Sequence, residues 1–177
     1  MDTHDRDCVN GKECWGKLNT EQADWYKSTV AKLKSDGCFN SAIFIHIPFM
    51  AYKDAFDAAI KLEYSDKKIS VKDSYEEKIW NDGYKNSVGV KFESVSAHPL
   101  DDFFKNVEQN GMKNYVFAGH DHVNNFIIDY KNSKLIYALK TGIGCYYSPE
   151  LCGGTVLEIT DDGIGKVYHE YTEGKKE

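Results

Sequence analysis

Apolar side chains recur along this chain with two different periods, which predicts a mixture of helices and strands. The first predicted helix has Asn19 or Thr20 as its N-cap, and Gln22 completes a capping-box pattern. Asp36-Gly37 ends this helix. Its inward face, at helical spacing, consists of Ala23, Tyr26, Val30 and Leu33.

Two short runs are apolar at almost every position, as expected of strands that are covered on both faces. Residues 42–47 form the first run and contain His46, and residues 115–118 form the second and lead into Gly119 and His120. Gly119 is expected to let the backbone turn sharply. Both strands therefore bring a histidine to the C-terminal edge of an open α/β sheet, where ligand sites lie.

The rest of the chain predicts two more helices and two hairpins. Residues 51–63 and 100–110 carry amphipathic helical stripes. Residues 125–139 and 155–171 each read as two strands joined by a turn. Between the two predicted helices, residues 64–97 are polar and aromatic without a clear period. This stretch follows the first histidine, and it is expected to form a rim or lid over a site.

Three histidines are candidates for metal ligands. His120 and His122 are separated by one residue, so they point to the same side of an extended segment. His46 ends the other buried strand, and the three together suit zinc, iron or manganese with carboxylates completing the shell. The alternative for each histidine alone is a hydrogen-bonded residue at the core edge. His98, before a predicted helix, is expected to be solvated.

These motifs resemble the last two metal motifs of the calcineurin-like metallophosphoesterases, and within that family the purple acid phosphatase-like enzymes. The resemblance rests on Gly119-His120-Asp121-His122, His46-Ile47-Pro48, Gln22-x-x-Trp25-Tyr26 and the segments 141–146 and 153–157. It covers most of this chain, but only about the second half of the family's domain. The resemblance implies the C-terminal half of a four-layer α/β/β/α sandwich, with a mixed sheet, flanking helices and C-terminal β-hairpins. Residues 1–177 would then form one partial domain with a lid-like insertion at 49–98.

The motifs of the family's first half are missing from this sequence. It contains no Gly-Asp and no Gly-Asn dipeptide, so the family's bridging aspartate and catalytic histidine have no counterpart here. Asp2-Thr3-His4 matches the family's first motif, Asp-x-His, in residue types, but the motifs that should lie between it and His46 are missing. We interpret residues 2–4 as a loop that leaves the strand opening the second half. The chain is therefore expected to begin within the domain.

The implied function is metal-dependent hydrolysis of a phosphoester at a site for two metals, iron, zinc or manganese. His46 and His120 would bind one metal and His122 the other. Asp121 would be an orienting residue behind the ligands or a solvated loop residue. Tyr146 and Tyr52 are candidates for the substrate side of the site. Because the first-half motifs are absent, no catalytic residue is assigned and the isolated chain is expected to be ligand-incomplete.

The alternative function is that of a catalytically inactive truncated domain that serves as a binding or regulatory module. Its contact surface would be the aromatic-rich residues 64–97, where Trp80, Tyr84 and Phe92 are also candidates for stacking on a substrate. Each of these aromatic side chains more readily anchors the loop by burying its ring. Metal analysis distinguishes this alternative from the hydrolase.

The composition and charge of the chain limit the classes of partner that it is expected to bind. The chain has 177 residues, which fits one domain, and its net charge of −6 is spread without a basic cluster. We therefore expect no nucleic-acid footprint and no attraction to anionic membranes. No apolar run reaches the roughly 18 residues of a membrane span. The partner implied by the resemblance is a phosphoester substrate, and a sheet face left uncovered would favour self-association.

The chain has five cysteines, and their number and spacing fit either an oxidising or a reducing cellular compartment. Disulfides Cys8–Cys14 and Cys145–Cys152, with Cys38 left over, would suit a secreted or lumenal protein. Five reduced thiols in a cytosolic protein fit the sequence equally well.

Overall fold

The computed structural model of this chain describes residues 1–63, 89 and 91–172, and it has an α/β fold built on a mixed sheet. In chain order the helices and strands are β1 (Arg6–Val9), β2 (Lys12–Trp15), α1 (Thr20–Ser35), β3 (Asn40–Phe44), α2 (Met50–Glu63), α3 (Phe104–Gln109), β4 (Lys113–Ala118), β5 (Ile127–Tyr130), β6 (Ser133–Tyr137), β7 (Gly153–Thr160) and β8 (Gly163–Tyr171). In the described residues no helix is long and apolar enough to cross a membrane.

The central sheet has four strands in the order β3-β4-β6-β5. Strands β3, β4 and β6 are parallel, and β5 returns antiparallel beside β6. The predicted hairpin of residues 125–139 is thus confirmed as the β5–β6 pair, although β6 pairs with β4 as well. The parallel order places the ends of β3 and β4 at one edge of the sheet.

Helix α1 begins as the sequence predicts. The amide of Gln22 donates to Asn19 Oδ1 at 2.9 Å, and the Asn19 amide donates to Gln22 Oε1 at 3.0 Å. This reciprocal pair is a capping box, which satisfies two amide groups that the first turn leaves unbonded. On the predicted inward face Tyr26 and Val30 are buried, whereas Leu33 is 38% exposed near the end of the helix.

The helices cover one face of the sheet and the β7–β8 hairpin covers part of the other. On the helix side, Ile43, Val116 and Leu135 pack with α1, α2 and α3 in the main core. On the other side, four sheet residues pack against Leu157, Ile164 and Val167 of the hairpin, namely Tyr115, Phe117, Ile127 and Ile136. The turn of the hairpin approaches the start of β3, where a Cβ added at Gly163 would lie 2.6 Å from Asn40 Nδ2, but Phe44 at the end of β3 is 57% exposed.

The N-terminal hairpin β1–β2 was not predicted as a pair of strands. Its turn is Asn10-Gly11, and both residues have positive φ, 52° and 76°, as a tight turn between antiparallel strands requires. Cys8 pairs with Glu13, so Cys8 and Cys14 lie one residue out of register and point to opposite faces. All five cysteines are free. Of the two alternatives for Cys8 and Cys14, a disulfide or reduced thiols, the structure has reduced thiols.

Cys145 and Cys152, the other pair considered for a disulfide, are also not bonded to each other. Cys145 is exposed and unpaired, whereas Cys152 is buried and its thiol donates to the Ser148 carbonyl at 3.5 Å. Gly153 then begins β7, so Cys152 is held beside the sheet by the strand that follows it.

His98 is not solvated, contrary to the expectation from its position before a helix. Only 1% of the residue is exposed, and its Nδ1 accepts a hydrogen bond from the Leu100 amide at 2.9 Å. Its Nε2 lies 3.2 Å from Asp7 Oδ2 of strand β1. The predicted helix at 100–110 is shortened to α3, and Asp101 Oδ1 accepts from the Phe103 amide at 3.2 Å just before it.

The predicted insertion at 49–98 begins inside the core. Helix α2 buries Ala51, Tyr52, Ala55 and Phe56 against the sheet. Residues 64–88 and 90 lie outside the described residues, and with them the candidates Trp80 and Tyr84. After this gap Lys91 forms an isolated bridge with Asn124, beside the loop that follows β4.

Tyr52 lies in the core, where its ring is not accessible to a substrate, which corrects the prediction from sequence. The residue is 0% exposed, and its hydroxyl donates to the carbonyls of Val116, at 2.8 Å, and Ile136, at 3.2 Å. Tyr52 therefore joins helix α2 to strands β4 and β6.

We expect Tyr52→Phe to lower the free energy of unfolding by about 1–2 kcal/mol, because two buried carbonyl groups lose a donor. Tyr147→Phe is the matched control, since that ring is 41% exposed and its loss of a hydroxyl should change stability by less than about 0.5 kcal/mol. Denaturant unfolding followed by circular dichroism measures both. Equal midpoints for the two variants would contradict a structural role for the Tyr52 hydroxyl.

Candidate metal centre

His46 and His120 lie at the same edge of the sheet because the strands that carry them are adjacent and parallel. Phe44 of β3 pairs with Phe117 of β4. Beyond the strand ends, the pairing continues through a hydrogen bond from the Gly119 amide to the His46 carbonyl at 3.0 Å. The backbones are thus fixed up to the two histidines.

The sharp turn after β4 is made by His120 itself. Its φ is 71°, in the left-handed region that residues other than glycine seldom adopt, whereas Gly119 has no positive φ. That conformation costs roughly 1 kcal/mol or more. A Cβ added at Gly119 would lie 3.5 Å from His46 Nδ1, an ordinary contact. The expectation that Gly119 makes the turn is therefore wrong, and the strained residue is the candidate ligand.

The two imidazoles face each other at a distance that fits a shared ion. His46 Nε2 lies 3.3 Å from His120 Nδ1, with the ring planes at 86°. Two nitrogen ligands at about 2.0–2.1 Å from a tetrahedral Zn²⁺ are themselves about 3.3–3.4 Å apart. The same separation also allows a hydrogen bond between the rings when one of them carries the proton.

The surroundings of His120 favour the neutral imidazole, the form that binds a metal. Partial burial lowers the pKa of its imidazole; Asp121 opposes this shift, whereas His46 and His122 add to it. The ring of Trp15, from strand β2, lies 4.2 Å from that of His120, and the Arg6 guanidinium lies 4.1 Å from the Trp15 ring centre. Sequence reasoning did not identify Trp15 or Arg6 as neighbours of the site.

His122 is held apart from the other two rings by its own contacts. Its Nδ1 lies 2.9 Å from the carbonyl oxygen of Tyr146, and its ring stacks on that of Tyr146 at 4.4 Å. The structure thus brings His46 and His120 together, whereas His122, two residues further along the same loop, contacts Tyr146. Over residues 1–63, 89 and 91–172, no three His, Cys, Asp or Glu side chains are grouped so as to hold a metal.

Asp121 is buried, which corrects the alternative of a solvated loop residue. It is 3% exposed, and its Oδ2 accepts from the Ser96 amide at 3.0 Å and from the Tyr137 hydroxyl at 2.5 Å. Its Oδ1 is buried without a hydrogen-bond partner in the described part of the chain. Burial raises the pKa of this carboxyl. Asp121 therefore anchors the loop between His120 and His122 to the core.

The N-terminal residues border the site without joining it. Thr3 Oγ1 accepts from the Ile47 amide at 2.9 Å, and the Met1 ammonium donates to the Phe44 carbonyl at 2.6 Å. The side chain of His4 instead faces Asp2, 3.9 Å away. Residues 1–3 therefore run beside the end of β3.

Of the two candidates for the substrate side, Tyr146 alone lies on an accessible surface near the histidines. It is 50% exposed within the exposed loop 141–147, and its hydroxyl donates to Glu93 Oε2 at 2.7 Å. Sequence reasoning missed Glu93, because nothing in the pattern of residues 91–96 links them to a loop fifty residues later.

No family model, curated protein or solved structure was found to match this chain.

Proposed function

We propose that this chain provides histidine ligands to a metal-dependent phosphoester hydrolase of the calcineurin-like, purple acid phosphatase-like type. The observation that carries the proposal is the 3.3 Å separation of His46 Nε2 and His120 Nδ1. Two such nitrogens at the C-terminal edge of a parallel sheet suit zinc, iron or manganese. The resemblance of the surrounding motifs supports phosphoester hydrolysis in particular.

In this proposal the three histidines and Asp121 at this edge of the sheet have separate roles. His46 and His120 hold one ion, and His122 contributes to a second. Bound metals would activate water and neutralise charge on the phosphate group. Asp121 orients the loop from behind through Ser96 and Tyr137. The motifs that supply the family's bridging aspartate and remaining ligands have no counterpart in this sequence.

The proposal includes the family's four-layer architecture. Helices cover one face of the β3-β4-β6-β5 sheet, and a two-stranded hairpin covers part of the other. Phe44 stacks on Phe117 at 4.8 Å but is 57% exposed on its outer side. An apolar strand face of this kind is what a second sheet would cover in a sandwich.

Metal stoichiometry tests the function directly. We expect the purified chain, loaded with Zn²⁺, Mn²⁺ or Fe²⁺ and desalted, to retain a transition metal in elemental analysis, and His46→Ala to lose it. His4→Ala is the matched control, because His4 is exposed and contacts Asp2 instead of the pair.

Two results would overturn the proposal. Metal retention by His46→Ala equal to that of His4→Ala would place the ion elsewhere. Failure of the wild-type chain to retain any of the three metals would favour the alternative, an inactive module that binds a partner. Hydrolysis of p-nitrophenyl phosphate that rises with added metal and is lost in His46→Ala would support the hydrolase beyond metal binding.

A further inference from the structure

Glu93 connects two loops that meet at His122. Its Oε1 accepts a hydrogen bond from the Val123 amide at 3.0 Å, and its Oε2 accepts from the Tyr146 hydroxyl at 2.7 Å. Val123 directly follows His122 in the loop after β4, whereas Tyr146 belongs to the exposed loop 141–147. One carboxylate therefore bonds both the backbone next to the histidine and the ring that stacks on it.

The backbone of Glu93 is itself fixed to the histidine loop. Asn124 Oδ1 accepts from the amides of Phe92, at 3.0 Å, and Glu93, at 3.1 Å, and Asn124 Nδ2 donates to the Glu93 carbonyl at 3.1 Å. Asn124 is 2% exposed, so these bonds are shielded from water. The carboxylate of Glu93 is thus presented from a rigid position.

Tyr146 sets the tautomer of His122. A backbone carbonyl can only accept a hydrogen bond, so the 2.9 Å contact between His122 Nδ1 and the Tyr146 oxygen requires a proton on Nδ1. In the neutral imidazole the lone pair is then on Nε2. The ring stacking, at an interplanar angle of 28°, holds the imidazole in this orientation.

We propose that Glu93 is a positioning residue that, through Tyr146, fixes His122 as a ligand binding through Nε2. Its relevance to a metal rests on the proposed function, whereas the tautomer itself is a property of the metal-free protein. A partner on the second nitrogen of a ligating histidine commonly contributes about 10–100-fold to metal affinity. The carbonyl of Tyr146 is that partner here, and Glu93 holds it in place.

The test is the tautomer of His122 in the metal-free chain, observed by two-bond ¹⁵N–¹H NMR correlation of the ring. We expect the Nδ1–H form in the wild type and a mixture of tautomers in both Tyr146→Phe and Glu93→Ala. The double variant should show the same mixture, because both side chains act through one link. Tyr147→Phe, which removes a neighbouring exposed hydroxyl, should keep the wild-type tautomer.

The metal provides a second measurement. Zn²⁺ affinity is measured by competition with a chromophoric chelator. The binding step that depends on His122 is the one that His122→Ala removes. Tyr146→Phe and Glu93→Ala should each weaken that step by about 10–100-fold. A pure Nδ1–H tautomer in both variants would overturn the positioning role. A change of tautomer in a chain that binds no metal would support the positioning role and overturn the proposed function.

Discussion

Replacing His120 with alanine is expected to weaken Zn²⁺ binding by at least about 100-fold, the largest effect on metal affinity that we predict for a single side chain. Loss of a residue that only supports a ligand already costs up to about 100-fold, and His120 Nδ1 faces His46 Nε2 directly, at 3.3 Å. Competition with a chromophoric chelator measures the change.

A double-mutant cycle shows whether the two rings share one ion. If they do, His46→Ala, His120→Ala and the double variant should be about equally impaired, because one remaining imidazole holds the ion poorly. Additive losses in the double variant would indicate two separate ions and contradict the shared site. Since His120 is in a strained conformation with φ of 71°, His120→Gly controls for relief of backbone strain, and it should lose the metal equally.

The second large effect is expected in the oligomeric state. Phe39, Phe44 and Ile159 are 80%, 57% and 73% exposed, and β3 is an edge strand of the sheet. Edge strands with exposed apolar side chains favour association with another chain. We expect the wild-type chain to self-associate at micromolar concentrations, and Phe44→Lys to weaken that association by at least about tenfold because it places a charge on the edge.

Trp25→Lys is the matched control, since Trp25 on helix α1 is also 57% exposed. Sedimentation velocity over a range of concentrations measures the association of each variant. The lysine stem can still cover Phe117, on which Phe44 stacks, so thermal melting should show that Phe44→Lys remains folded. A monodisperse wild-type monomer, or equal effects of the two substitutions, would contradict an interface at β3.

The local elements of this fold could be predicted because their signals lie within a few residues of one another. Asn19 and Gln22 are three residues apart and form the capping box in the structure. The β7–β8 hairpin turns near Gly163 as its sequence predicts, and Gly163 has a φ of 110°. Such features depend on backbone geometry over one turn, so they can be predicted from neighbouring residues without knowledge of the rest of the chain.

The buried state of individual polar side chains was not predictable from the same patterns. Tyr52 and His98 were assigned accessible positions, and a solvated position was one of two alternatives for Asp121, yet all three residues are buried. Their sequence neighbours did not show the partners, since Tyr52 bonds strands β4 and β6 and His98 faces Asp7 on β1. Burial depends on which distant segment packs over a residue, and that is set by the whole fold.

The sequence by itself determined that His46 and His120 each follow a short apolar strand. Its prediction that both strands are covered on both faces is wrong for β3, an edge strand on which Phe44 is 57% exposed, whereas β4 is buried along most of its length. Only the tertiary structure decided that these strands are adjacent and in register, which brings Nε2 and Nδ1 to 3.3 Å across 74 positions of the chain. It also decided that His122 is bound to Tyr146 and supported by Glu93. The physical reason is that periodicity encodes the direction of a side chain within its own element, whereas distances between elements are set by strand pairing and core packing.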